Sequence, residues 1–89
     1  MKNSGDEIET WQDADTWHID VRGLVPPQPM VAILSLLKSG NIKNRLIVHI
    51  ERDPVHLYAE LEELGWDYET NISDGDQYLI EIRKQANAE

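Results

Sequence analysis

Cysteine is absent from the 89 residues. Without a thiol the chain has no disulfide framework, no thiolate nucleophile, no persulfide carrier and no Cys-ligated zinc or iron–sulfur site. No apolar run approaches the roughly 20 residues that span a bilayer. The start of the chain lacks a basic-then-apolar targeting pattern, so a soluble cytoplasmic protein is the expectation. Positive charge is scarce: eight Lys and Arg stand against seventeen Asp and Glu, for a net charge of −9. Phosphate backbones are held by clustered cations, so nucleic acid is not an expected partner. No Ser-His-Asp order, Gly-rich phosphate loop or nucleotide fingerprint appears, and Gly23 stands alone.

The charge that is present is unevenly spread. Residues 1–16 carry −4, residues 17–50 carry +3 and residues 51–76 carry −8. A dipolar surface of this kind suits steering towards a charged partner, although charge also simply keeps a small protein soluble. The length sets one domain, and the 40% hydrophobic content suffices for one small core.

Residues 17–22 alternate, with Trp17, Ile19 and Val21 on one side and His18, Asp20 and Arg22 on the other. Period two predicts a strand with one buried face. Gly23 permits a turn, and Pro26, Pro27 and Pro29 follow. Prolines fit the first turn of a helix, where amides lack intrahelical partners, and fit nowhere else in it. Met30, Ile33, Leu34 and Leu37, widened by Val31 and Leu36, make the stripe of a helix laid on a sheet. Residues 39–41, Ser-Gly-Asn, stop it.

A second strand is expected over residues 46–51, parallel to the first because a helix separates them. Asp53 reads as an N-cap with Pro54 at the first helical position. Leu57, Tyr58, Leu61 and Leu64 form the second helical stripe, closed by Gly65. A third strand over 66–72, a hairpin turn at 73–76 and a fourth strand over 77–84 complete the chain. The expected fold is an α+β two-layer sandwich, βαβαββ, with two helices on one face of a four-stranded mixed sheet. Residues 1–16 read as a flexible acidic tail, 17–85 as the domain and 86–89 as a frayed end.

Asp20, the run Arg22-Gly23-Leu24, the P-P-Q-P run at 26–29 and the order of elements together resemble the TusA/SirA-like sulfur-carrier superfamily. The resemblance covers residue 17 to about residue 84. Members of that superfamily carry Cys-Pro-x-Pro at the start of the first helix. Here Pro26 stands where the cysteine would be, while Pro27 and Pro29 match the prolines. The chain looks closer to a Cys-less branch of uncharacterised domains, one with a D-V-R-G-L-x-P-P-x-P signature and a D-P at the second helix. The resemblance implies a sheet order of 1-2-4-3, with the fourth strand antiparallel to the rest. It does not carry persulfide chemistry over, because the residue that performs it is missing.

The first candidate site is the edge where both parallel strands end and both helices begin. Helix N-termini offer amides and a partial positive charge, which suit anions. Its candidates on the first corner are Arg22, Gly23, Leu24 and Pro26, followed by Pro27, Gln28 and Pro29. On the second corner they are Arg52, Asp53 and His56. In the plainer reading, prolines and cap only start helices. The second candidate is the helix-free sheet face, where His18, Asp20, His49 and Glu51 offer two imidazoles and two carboxylates to zinc or non-haem iron. Here the plainer reading is polar surface. Trp66, Tyr68 and Tyr78 read as core, and Glu60, Glu62 and Glu63 as a solvated helix face.

These readings combine into a monomeric, non-catalytic module without a cofactor. It uses the helix-start edge to bind a protein partner or a small anion. The alternatives are a metal-binding protein using the open sheet face, and an accessory factor in sulfur or redox metabolism.

Overall fold

Every second residue of the central strands is apolar, and burial follows that beat. Ile19, Leu46, Val48, Ile80 and Ile82 are each at most 2% exposed. Their neighbours His18, Ile47, His49 and Glu81 are only half-buried. One sheet face therefore carries the core and the other faces solvent. The computed structural model describes residues 8–73, 75 and 77–84. Its elements are β1 (Glu9–Asp13), β2 (Thr16–Asp20), α1 (Gln28–Lys38), β3 (Arg45–Ile50), α2 (Val55–Leu64), β4 (Trp66–Ser73) and β5 (Gln77–Lys84).

The sheet has five strands in the order β1-β2-β3-β5-β4. The pair β2–β3 is parallel; β1–β2, β3–β5 and β5–β4 are antiparallel. The four expected strands thus keep the order 1-2-4-3, and the α+β architecture stands, but the strand count of four is corrected to five. The extra strand, β1, comes from the segment read as tail. All five of its residues are exposed, so no buried stripe marks it in the sequence. It is held by its ladder to β2, from Glu9 opposite Asp20 to Asp13 opposite Thr16. The connection is two residues, and Ala14 takes a φ of 57°, a left-handed conformation in which Asn or Gly is the usual turn residue. That unusual turn chemistry hides the hairpin. Residues 1–7 and 85–89 lie outside the described residues, as do Asp74 and Asp76 of the expected β4–β5 turn.

Both helices pack on the core face. Ile33 and Leu37 of α1 and Leu57 and Leu61 of α2 are buried, joined by Val21, Ile42, Ile50 and Trp66. Two expected stripe residues are corrected. Val31 is 56% exposed and Leu64 41%: Val31 lies almost opposite Ile33 on its helix, and Leu64 keeps the line of Leu57 and Leu61 but is the last residue of α2. The start of α2 is also corrected. Pro54, not Asp53, is the N-cap, and no side chain caps it. Asp53 instead accepts a 2.6 Å hydrogen bond from the Tyr58 hydroxyl. Gly65 ends the helix at a φ of 87°, where a side chain is strained.

Candidate functional site

Two places in the described residues gather the chemistry. The first is built by proline. The strands β2 and β3 end at one edge of the sheet, and each feeds a corner whose geometry proline fixes. Pro26, Pro27, Pro29 and Pro54 are all the prolines in the chain, and all four line one groove of about 410 Å³ between the starts of α1 and α2. The Pro26–Pro27 peptide is cis. Met30, Ile33, Ile50, Val55 and Leu57 also line the groove, and Arg52, Asp53 and His56 complete it.

The amides there are mostly spoken for. Pro27 and Pro29 have none. Gln28 donates to the Val25 carbonyl at 2.9 Å and Val31 to the Pro27 carbonyl at 3.0 Å. In α2, Val55 donates to the Asp53 carbonyl and Leu57 to the Pro54 carbonyl, both at 2.9 Å. Few donors remain for an anion at either helix start. What the edge offers is an apolar wall with an arginine, a histidine and a carboxylate beside it.

A second shallow apolar groove runs along the other side of α1. Leu24, Gln28, Val31 and Ile8 line it, and Pro27 belongs to both grooves. Val55 of the first groove is 57% exposed, and Val25, 64% exposed, adds to the apolar surface outside both grooves. Of the ten sequence candidates for this edge, Pro26, Pro27, Pro29, Arg52, Asp53 and His56 share the first groove, and Leu24 and Gln28 lie in the second. Arg22 and Gly23 line neither groove. The Arg22 guanidinium holds Asp20 through two hydrogen bonds of 2.9 and 2.7 Å and reaches Gln77 at 2.7 Å. That pairing lowers the Asp20 carboxyl below its usual range and raises Arg22. Gly23 donates its amide to the Glu51 carboxylate at 3.2 Å.

Tyr58 braces the α2 corner. Its hydroxyl meets Asp53 and Thr70, each at 2.6 Å, and its ring stacks on Tyr68 at 4.5 Å. Burial, then the Asp53 hydrogen bond, pushes the phenol up to about 12.

The second place is the open sheet face. His18 Nδ1 and His49 Nε2 lie 3.0 Å apart, from adjacent parallel strands. Trp11 of β1 stacks flat on His18, with centroids 5.0 Å apart and planes 5° apart, and leans on His49 at 5.4 Å. Burial first, and then the neighbouring His18, lower the pKa of His49 below its ordinary value, while Asp20 opposes them. The four candidate ligands do not converge. Asp20 is held by Arg22 and Glu51 by the Gly23 amide, and among the described residues no group of three His, Asp or Glu side chains is arranged to hold a metal ion.

Sequence reasoning brought the two histidines to this face and missed Trp11. A signal was present: Thr10-Trp11 and Thr16-Trp17 repeat a dipeptide on either side of a short polar break. Read as a hairpin, that repeat puts an indole opposite His18.

A family model described as "Uncharacterized conserved protein (DUF2249)" matches residues 18–84. The match takes in both helix starts and both histidines, and leaves Trp11 outside. No curated protein matches the chain.

Proposed function

This chain belongs to that family of uncharacterized conserved proteins (DUF2249), and from that premise we propose that it is a non-catalytic binding module. Its proline-walled edge takes an apolar segment of a partner protein that carries a negative charge. The observation that carries this reading is the convergence of every proline in the chain on one groove. Proline loses little conformational freedom on folding and keeps its shape on binding, so the groove is preorganised and a ligand bears little of the ordering cost. Arg52 at the groove favours an anionic group beside the apolar one, and Asp53, the carboxylate of the same groove, is taken up by the Tyr58 hydroxyl. Two grooves joined at Pro27, with exposed Val55 in the first, exposed Val31 in the second and exposed Val25 beside them, make a surface wider than a small molecule covers. The likeness to sulfur carriers is one of scaffold. With Pro26 in the place of a thiol, the edge keeps a docking surface without a nucleophile.

The test has two arms. Anilinonaphthalenesulfonate, an aromatic body with one negative charge, probes the chemistry. Its amide shifts should centre on Met30, Ile33, His56 and Leu57, vanish in Val55→Asp and weaken in Arg52→Gln. A photo-crosslinker at Val25 in the native cell probes the source. It should give one discrete protein adduct that Val31→Asp abolishes, whereas a crosslinker at Glu69 on β4 gives none. Dye shifts scattered over the sheet, or unchanged by Val55→Asp, sink the reading.

A further inference from the structure

The pairing of His18 and His49 serves no part of the groove, and it is the one place among the described residues where two good metal donors face one another. We propose that His18 Nδ1 and His49 Nε2 form a two-imidazole chelate for a late transition-metal ion, copper(II) first, on the open face of the sheet. The remaining coordination positions are left to solvent or to an exogenous ligand.

Three observations carry this. The first is separation. With metal–nitrogen bonds of about 2.0 Å, nitrogens 3.0 Å apart subtend about 97° at a shared ion. That is nearer the right angle of a tetragonal site than the tetrahedral angle zinc prefers, and it is far from the straight line of a two-coordinate ion. Tetragonal nitrogen and oxygen sites suit copper(II) and nickel(II), and copper binds the tighter of the two.

The second is rigidity. Both histidines sit on paired strands, with His49 opposite Asp20 in a continuous ladder. Flanking residues Ile19, Val48 and Ile50 are buried, so the backbone that spaces the two rings is fixed by the core.

The third is the wall. Trp11 covers one flat side of His18 and leans on His49. It limits how the rings can turn without supplying a competing donor. Asp20 and Glu51 lie close by on the same face but are engaged elsewhere. The donor set is therefore two nitrogens, which explains why no three-ligand cluster is present.

Chelation replaces the imidazole–imidazole hydrogen bond. One ring presents its proton to the other, the donor being set by the tautomer. On binding, that ring carries its proton on the far nitrogen, each ring pivots slightly with His18 staying in the plane that Trp11 covers, and both near nitrogens direct a lone pair to the ion.

The experiment titrates the whole chain with copper(II) alone, in a buffer without coordinating amines, and follows paramagnetic broadening of the amide spectrum. The expected result is saturation at one ion per chain, with broadening centred on Trp11, His18 and His49. His18→Gln and His49→Gln should each lose more affinity than the roughly tenfold that loss of an outer-shell partner costs, with their spectra otherwise dispersed as in the wild type. Zinc should bind the same place more weakly. Broadening centred on His56 or elsewhere overturns the proposal, as does copper affinity unchanged in the double variant. If the glutamine variants fail to fold, Trp11→Phe serves instead. It keeps both donors and an aromatic wall, so copper should still broaden the His18 and His49 amides, and absence of that broadening overturns the site. The dye arm for the groove involves neither histidine, so the two proposals fail separately.

Discussion

The proline edge and the open sheet face are two corners of one small sheet, yet they are made in different ways. At the edge, four prolines and two helix starts set the shape, and every one of those constraints acts within a few residues of its cause. On the open face, a tryptophan from one strand lies on a histidine from the next, which faces a histidine 31 positions further along the chain. Nothing local holds that trio together. The edge is apolar and poor in free donors; the face is polar, with side chains already partnered to one another. Preorganisation can therefore come either from the stiffness of single residues or from pairing across a rigid sheet, and this molecule uses both.

Separating the two regions by mutation should follow that division. The largest effect is expected from Ile33→Ala. Ile33 is fully buried and floors the groove, so the change removes apolar packing and leaves a cavity worth about 2–5 kcal/mol. Urea denaturation should show the loss. Trp11 stacking, followed by its ring proton shifts, should persist in the folded fraction, because the open face lies across the sheet.

Val55→Asp reverses the balance. Val55 is exposed, so stability should move by no more than about 0.5 kcal/mol. Dye binding at the groove should nevertheless be lost, since the change puts a carboxylate on an apolar wall and repels an anionic ligand.

Tyr58→Phe tests the brace between α2 and β4 and should cost about 1 kcal/mol in neutral solution. Its pH dependence has a definite sign. The folded phenol titrates near 12 against an ordinary 10.0. The folded state thus holds this proton more tightly than the unfolded one. That stabilisation is fully present below pH 10.0 and is lost as pH rises towards about 12. The phenylalanine variant should lack this part of the alkaline loss, and ultraviolet titration should show that the missing phenol is a late-ionising one.

The smallest effect is expected from Arg22→Gln. In its ion pair with Asp20 the arginine is exposed and the carboxylate half-buried, and pairs open to solvent on one side are screened and entropically costly. The denaturation midpoint should hardly move. The Asp20 carboxyl should rise towards its ordinary value, visible in a carbon-detected pH titration, and the groove should bind the dye as before. A marked loss of dye binding would place Arg22 at the edge after all and blur the line between the two regions.

Much of this was written in the chain itself. Alternation in residues 17–22 and 46–51, stripes at Ile33 and Leu37 or Leu57 and Leu61, and prolines at both helix starts are consequences of sterics and periodicity that act over a few residues. They fix element type, helix entry and the face that seeks the core. What the tertiary structure decided was of another kind. It gave β1 a place as a fifth strand because backbone groups on the edge of β2 accept a partner whose side chains need no burial. It turned Arg22 away from the helix starts because Asp20 and Gln77 offered it nearer oxygens. It set His18 against His49 and laid Trp11 on top because strand register, a relation between distant segments, determines which side chains become neighbours, and register is carried by no single stretch of sequence.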